Sequence, residues 1–323
     1  MSGKTTLDRD PMIVSSRRIN YLPLEKTDLR RFQIDSYWTQ LGGSPGAAVS
    51  DLEPTGDGYR LRYQDGAIYV RHGSLAWVRG AIAERYDAIG GATSWLGFPE
   101  QDEVDFHQGG RVSVFEHGAI YWWPDVGAIE LGDVVVHYTG LVCFEETSGA
   151  GSDEPYAVIG AVAPPESRDF RTPVYEDVDD EEGVPDLLEV YRGKPYGLLL
   201  KVLLMENDEG NPDEYSDAMK AAVGAGFALV SAGLVAVSAG LAAAAAPLLA
   251  AALPVVSREL NKALGTEDDQ IGQADLQVTP KQMVVLAART PNSNLHGVGY
   301  KLETPLLSAH GGSYKVYFGL VPA

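Results

Sequence analysis

No charged residue occurs between Ala221 and Ser257, a stretch built from Ala, Gly, Val and Leu with Lys220 and Arg258 at its ends. An apolar run of that length must satisfy its backbone hydrogen bonds internally, so it reads as helix. Gly226, Gly233 and Gly240 fall seven residues apart, as do Ser231 and Ser238, and Pro247 continues that register. A seven-residue period puts small side chains on one helix face, where two helices can approach closely. Pro247 and Pro254 resist an unkinked helix interior. The reading is a helical hairpin over about 217–264, with arms near 217–241 and 242–264. Each arm is close to the ~20 apolar residues that cross a bilayer core. Phe227, Leu229, Leu234, Leu241, Leu248 and Leu249 are the residues that would enter it. Ala and Gly contribute little to insertion, so a hairpin packed on the protein and one released into a membrane both stay open.

Charge is the second constraint. Residues 145–217 hold 20 Asp/Glu against 5 Lys/Arg, a net of -15 out of -20 for the whole chain. Such a field repels phosphate, which excludes nucleic acid as a partner and anionic lipid unless cations intervene. The lone Cys143 excludes an internal disulfide framework and sits in an apolar run, Leu141 to Phe144, as a small buried side chain. Met1 to Arg31 mixes charges and shows no apolar core segment, so the expectation is a cytoplasmic protein that reaches the envelope or the outside by a leaderless route.

The first half repeats itself. Ile34 to Gly43 aligns with Ile82 to Gly91, and Gly58 to Tyr69 aligns with Gly110 to Tyr121. Each copy reads as a short helix, a Gly-Gly stop, a loop and a hairpin, with turns at Asp65-Gly66 and His117-Gly118. The second copy contains Leu96-Gly97-Phe98-Pro99 together with Gly109-Gly110-Arg111 and Gly118-Ala119-Ile120-Tyr121. It resembles the LGFP repeat family, found in actinobacterial envelope proteins and wall-acting enzymes. That resemblance covers about 33–131 and implies attachment to the cell wall or to a carrier protein. The first copy departs from it, with Gly43-Ser44-Pro45-Gly46 in place of the Leu-Gly-Phe-Pro stretch. Most repeat aromatics read as core. Trp95, Phe98, Trp122 and Trp123 are the candidates for stacking on wall glycan, and neighbours Trp122 and Trp123 must point to opposite faces of a strand.

From Gly132 the pattern changes to short apolar runs: 134–138, 141–144, 157–159, 198–204, 283–286 and 314–318. Separated by acidic or Gly/Pro loops, they read as an antiparallel β-sandwich over 133–323. Carboxylates cluster at the strand ends, and clustered carboxylates favour a hard divalent cation. The segment Asp153-Glu154-Pro155-Tyr156, the pair Glu206 and Asp208, and Asp269-Gln270-Ile271-Gly272 resemble the calcium loops of the C2-type lipid-binding sandwich. The resemblance implies calcium bound by Glu146, Asp153, Glu206, Asp208, Asp268 and Asp269, with the hairpin inserted in the third loop. The acidic run Glu176 to Glu182 reads instead as a solvated loop.

No His-Glu-x-x-His, Gly-x-Ser-x-Gly, phosphate-binding or dinucleotide motif is present, so the expectation is a protein that is not an enzyme. Paired acids such as Glu100 and Asp102 are what a wall hydrolase could use. The fold class expected is α+β and multidomain: an arm over 1–32, two small α/β LGFP-type repeats over 33–131, and a C2-like antiparallel β-sandwich over 133–323 carrying the apolar hairpin. The function expected is envelope targeting, with calcium-dependent lipid contact, membrane permeabilisation as an antibacterial toxin or effector, and a possible homo-oligomer on the membrane. The alternative is a structural or interaction protein of the envelope or an injection particle, its hairpin a docking element.

Overall fold

The computed structural model describes residues 26–148, 151–207, 213–235, 241–264 and 270–323. The chain divides into two compact units, Met1–Asp102 and Glu103–Ala323. In the first, α1 (Lys26–Gln40) precedes an antiparallel sheet of β1 (Glu53–Thr55), β2 (Gly58–Arg62), β3 (Ala67–Arg71) and β4 (Ser74–Val78), and α2 (Gly80–Ala88) follows. The Gly-Gly stop closes α1: Leu41, Gly42 and Gly43 donate back to the carbonyls of Tyr37, Thr39 and Trp38. Gly42 and Gly43 take φ of 64° and 73°, the left-handed geometry that ends a helix. The Asp65-Gly66 turn joins β2 to β3, and a Cβ on Gly66 would lie 2.0 Å from the Val78 carbonyl oxygen, so only glycine fits. Ile34 from α1 packs with Leu61, Ile68, Val70 and Trp77 from the sheet.

The second unit opens with a second sheet of β5 (Val104–Phe106), β6 (Gly110–Phe115), β7 (Gly118–Trp123) and β8 (Gly127–Leu131). The elements β9 (Val134–Glu145), β10 (Pro155–Val162), β11 (Ser167–Arg171), β12 (Gly183–Gly193), β13 (Leu198–Glu206), α3 (Asp213–Val235) and α4 (Leu241–Ala263) come next. Then come β14 (Gln270–Val278), α5 (Pro280–Ala288), β15 (Ser293–Leu295), β16 (Val298–Tyr300), β17 (Leu302–Glu303), β18 (Leu307–Ala309) and β19 (Gly312–Pro322). Two antiparallel sheets result, ordered β11-β10-β13-β14 and β12-β9-β19-β17, with β18 also paired to β19. Their inner faces share one core that includes Val136, Leu141, Ile159, Leu200, Val202, Val316 and Phe318. The expected antiparallel pattern is present.

Two strand assignments change. The runs 134–138 and 141–144 are a single strand, β9, with Gly140 at φ 135° in its middle. Met283 to Leu286 is helix, not strand. Thr279 accepts from the Gln282 N–H, the Gln282 side chain accepts from the Thr279 N–H, and Pro280 opens α5. That capping box outweighs the β preference of two valines.

The boundary expected near 131–133 follows a change of sequence pattern, whereas packing carries the second repeat's sheet into the sandwich unit. Phe106, Val112, Tyr121, Trp123, Ile129 and Leu131 belong to the same apolar cluster as Val134, Met283 and Val284. Lys281 Nζ reaches Asp125 at 2.7 Å, and Arg289 donates to the carbonyls of Val126 and Ala128 at 2.8 and 3.0 Å.

Helices α3 and α4 form the hairpin and lie on the outer face of sheet β11-β10-β13-β14. Tyr156, Val158, Val162, Leu199, Leu203 and Met205 of that face pack with Met219, Val223 and Val230 of α3 and with Leu249, Val256 and Leu260 of α4. Strands covered on both faces read as continuous apolar runs, which is why β10 and β13 showed no alternation. Two glycines of the expected register admit the partner helix: a Cβ on Gly226 would meet Val256 at 2.4 Å, and one on Gly233 would meet Leu248 at 2.2 Å, whereas Ser238 and Gly240 lie outside the described residues and Pro247 does not share the packed face. Gly160 of β10 likewise makes room for Met219 and Val223. Pro247 and Pro254 lie within α4 but on its exposed side, where the carbonyls they leave without a donor can meet water.

Candidate functional site

The repeat aromatics separate by exposure. Trp95 is 51% exposed. Phe98 is 4% exposed, with a Cβ on Gly58 destined to fall 2.8 Å from its ring and the Arg71 guanidinium 4.9 Å from its centroid. The two glycines Gly56 and Gly58 are the seat for this ring, so the Phe of the Leu-Gly-Phe-Pro stretch holds the first unit together and is not free to stack on a sugar. Trp122 and Trp123 point to opposite faces as expected. Trp123 is fully buried, stacks on Tyr121 at 6.4 Å and donates to the His107 carbonyl at 2.9 Å, whereas Trp122 is half-buried. Of the four glycan candidates, Trp95 and Trp122 are open to solvent, and they belong to different units.

Asp102 is held internally. Its two oxygens accept from the Tyr37 hydroxyl and the Trp77 N–H, both at 2.7 Å, while Glu100 is exposed. Burial, then the hydrogen bond and charge of Asp102, push the Tyr37 phenol well above its ordinary pKa. The carboxylate therefore ties α1 to the β4 strand.

The acidic loops are similarly committed. Asp153 is 1% exposed, and its carboxylate accepts from the Thr147 N–H at 2.9 Å, the Thr147 hydroxyl at 2.7 Å and the Tyr314 hydroxyl. A carboxylate removed from water needs such donors, and here they come from the chain itself. The expectation of Asp153 as a metal ligand gives way to a role as a loop anchor. Glu146 is half-buried; its N–H donates to Asp180 at 2.7 Å, and slight desolvation followed by the charges of Asp180, Asp179 and Asp153 raises its carboxyl pKa. Glu206 ends β13 opposite Pro155. Asp208, Asp268 and Asp269 lie outside the described residues. Among the described residues no group of three or more His, Cys, Asp or Glu side chains is arranged to hold a metal ion. The run Glu176 to Glu182 is a loop as expected, with Asp177 and Glu181 at positive φ.

Of the hairpin residues expected to enter a bilayer, Leu249 is 1% exposed and faces the sandwich. Phe227, Leu229, Leu234 and Leu248 are partly buried against the same cluster, and the Leu241 side chain lies outside the described set. The segment Asp213–Leu234 is long and apolar enough to span a membrane by length and composition. Beneath the hairpin is a residue the sequence reading missed. The Lys201 side chain is 4% exposed, and its ammonium meets Asp275 at 2.9 Å and Ser257 of α4 at 3.5 Å. Its signal was present as the one charge inside the Leu198 to Leu204 run. Cys143 is buried as expected, and burial pushes its thiol up to about 11.

No curated protein matches the chain. A family model for the LGFP repeat matches residues 46–94 and again residues 96–138. The first match takes in the sheet β1 to β4 and then α2; the second opens on Leu96-Gly97-Phe98-Pro99, takes in β5 to β8 and runs into β9. The repeat is thus phased sheet first, and in the second copy the Leu-Gly-Phe-Pro turn leads it. The chain carries two LGFP repeats, at residues 46–94 and 96–138.

Proposed function

We propose that this chain is a non-enzymatic, envelope-associated binding protein: its repeats engage wall glycan or a carrier protein, and its hairpin is a docking element held on the β-sandwich. The pair of LGFP repeats carries this reading, since that repeat marks an envelope-associated module. Trp95, exposed at the junction of the two repeats, and the half-buried Trp122 of the second are the indole rings that a ligand can reach. The commitment of Asp102 and Asp153 to internal hydrogen bonds fits a binding role better than a hydrolytic one. Sedimentation of the protein with purified actinobacterial cell walls tests the reading. Binding that Trp95→Ala or Trp122→Ala weakens supports it, and protein that stays in the supernatant refutes it.

A second reading, a membrane-permeabilising effector, is favoured by one observation: α3 has the length and hydropathy of a membrane span, and several of its large side chains are only partly covered. Releasing the hairpin uncovers at least Met219, Val223, Val230, Leu249, Val256 and Leu260. At about 1.5–3 kcal/mol for each such side chain, a bilayer has to return on the order of 10 kcal/mol. Leakage of dye from phosphatidylglycerol-containing vesicles, measured with calcium and with chelator, separates the two. Calcium-dependent leakage selects the effector; intact vesicles under both conditions select the docked hairpin.

A further inference from the structure

At one end of the sandwich, where β9 begins, β12 ends and β10 turns into β11, lies a cleft of about 410 Å³. Its size falls among small-molecule sites. Its walls are rigid. The turn from Ala163 to Glu166 is closed by reciprocal backbone hydrogen bonds of 2.8 and 3.2 Å, with Pro164 and Pro165 at its tip. On the other strand end the Tyr191 hydroxyl donates to the Lys194 carbonyl at 2.7 Å, and Gly193 between them takes φ of 157°. A cleft that is already formed loses little entropy on filling.

The lining combines an apolar surface from Pro165 and Tyr196, backed by the buried Pro164 and Tyr191, with a rim of paired charges. Lys194 meets Asp133 at 3.0 Å, Arg168 meets Glu166 at 3.0 Å, and Arg192 meets Glu189 at 2.6 Å. Every cation at the rim is thus compensated, so an ion entering the cleft has to displace an existing partner. Hydrogen-bonding capacity nevertheless remains. The Glu166 and Asp133 side chains stay 30% and 43% exposed beside their cations, and a carboxylate in an ion pair keeps lone pairs for a hydroxyl, as a guanidinium keeps further N–H groups. Burial raises the pKa of both phenols, with Asp133 adding to it, so Tyr191 and Tyr196 stay neutral. Acceptors and donors side by side above an apolar floor match one chemistry: a neutral ring whose hydroxyls both donate and accept and whose C–H face is apolar.

We propose that this cleft is a saccharide-binding site that takes one pyranose ring, with Tyr196 and Pro165 against the ring face and Asp133, Glu166 and Arg168 on its hydroxyls. The site takes Asp133 from the end of the second repeat match and its other residues from 164–196, and it uses neither Trp95 nor Trp122, so its failure and that of wall attachment through those two rings are distinguishable. Saturation-transfer NMR on the full chain tests it with methyl glucopyranoside, methyl mannopyranoside, methyl galactopyranoside and N-acetylglucosamine, alongside acetate and tetramethylammonium as charged probes. The expected result is saturable transfer to at least one pyranoside, with apparent affinity lowered tenfold or more in Tyr196→Ala and in Arg168→Gln and unchanged in Phe32→Ala, a change at an exposed side chain of α1 outside the cleft and the repeats. Thermal melts identify any variant that fails to fold, and Arg168, being at the surface, is the variant expected to keep the wild-type melt. Absence of transfer to all four sugars, transfer that survives both cleft variants, or displacement of the sugar by either ion at equal concentration overturns the proposal.

Discussion

Asp153 shows how a residue chosen for one chemistry can be claimed by another. Its carboxylate is buried and receives donors from Thr147 and Tyr314, so it fastens the loop after β9 to the last strand. Asp153→Ala leaves those donors inside the protein without an acceptor, a loss of about 3 kcal/mol. Urea denaturation is expected to show it, with Asp153→Asn losing less because the amide oxygen still accepts. The histidines give a pH dependence. Burial holds His107 and His137 below the usual imidazole value of 6.5. The unfolded chain then takes up protons that the folded chain refuses. Their contribution is intact above pH 6.5 and is lost as pH falls through that value toward the folded ones. Melting temperatures of His107→Gln between pH 7 and pH 5 are expected to fall less steeply than those of the parent; equal slopes refute the assignment.

At the scale of elements, what could be read beforehand was whatever rested on local backbone requirements. The Gly-Gly stop after α1, the Asp65-Gly66 and His117-Gly118 turns and the close approach of the hairpin helices at Gly226 and Gly233 each follow from local chain requirements, and each is present. What could not be read was set by distant partners. The exposure of Trp122 as against Trp123, the seat of Phe98 on Gly56 and Gly58, and the donors of Asp153 depend on chain brought in from elsewhere. The cleft was equally invisible, because Asp133, Glu166, Arg168 and Tyr196 are ordinary residues until three loops converge. The hairpin offers a paired test of the register. Gly226→Leu drives a side chain into the stiff Val256 and is expected to cost about 1–3 kcal/mol by overpacking. Gly224 has nothing within 4 Å of a new Cβ, so Gly224→Ala is expected to stabilise α3 by up to about 1 kcal/mol. Hydrogen exchange of α3 and α4 amides reads both changes.

Across the whole molecule, repetition in sequence and compactness in space divide the chain differently. The sheet of the second repeat completes its core with the sandwich through Met283, Val284 and Ala287. A fragment ending at Leu131 therefore uncovers Tyr121, Trp123 and Ile129 and is expected to bind a hydrophobic dye and melt well below the full chain. A fragment with the full chain's cooperativity would show that the shared core is dispensable. The hairpin has a consequence of its own for how the chain becomes knotted into shape. It lies in sequence between β13 and β14, which are hydrogen-bonded neighbours, so these two strands must meet across a long excursion. Because α3 and α4 run out and back, the excursion returns to its origin, so a formed hairpin holds the two strand ends close and lowers the loop-closure cost of pairing them. The apolar helices are thus a splint for sheet assembly as much as a cover for the finished sheet.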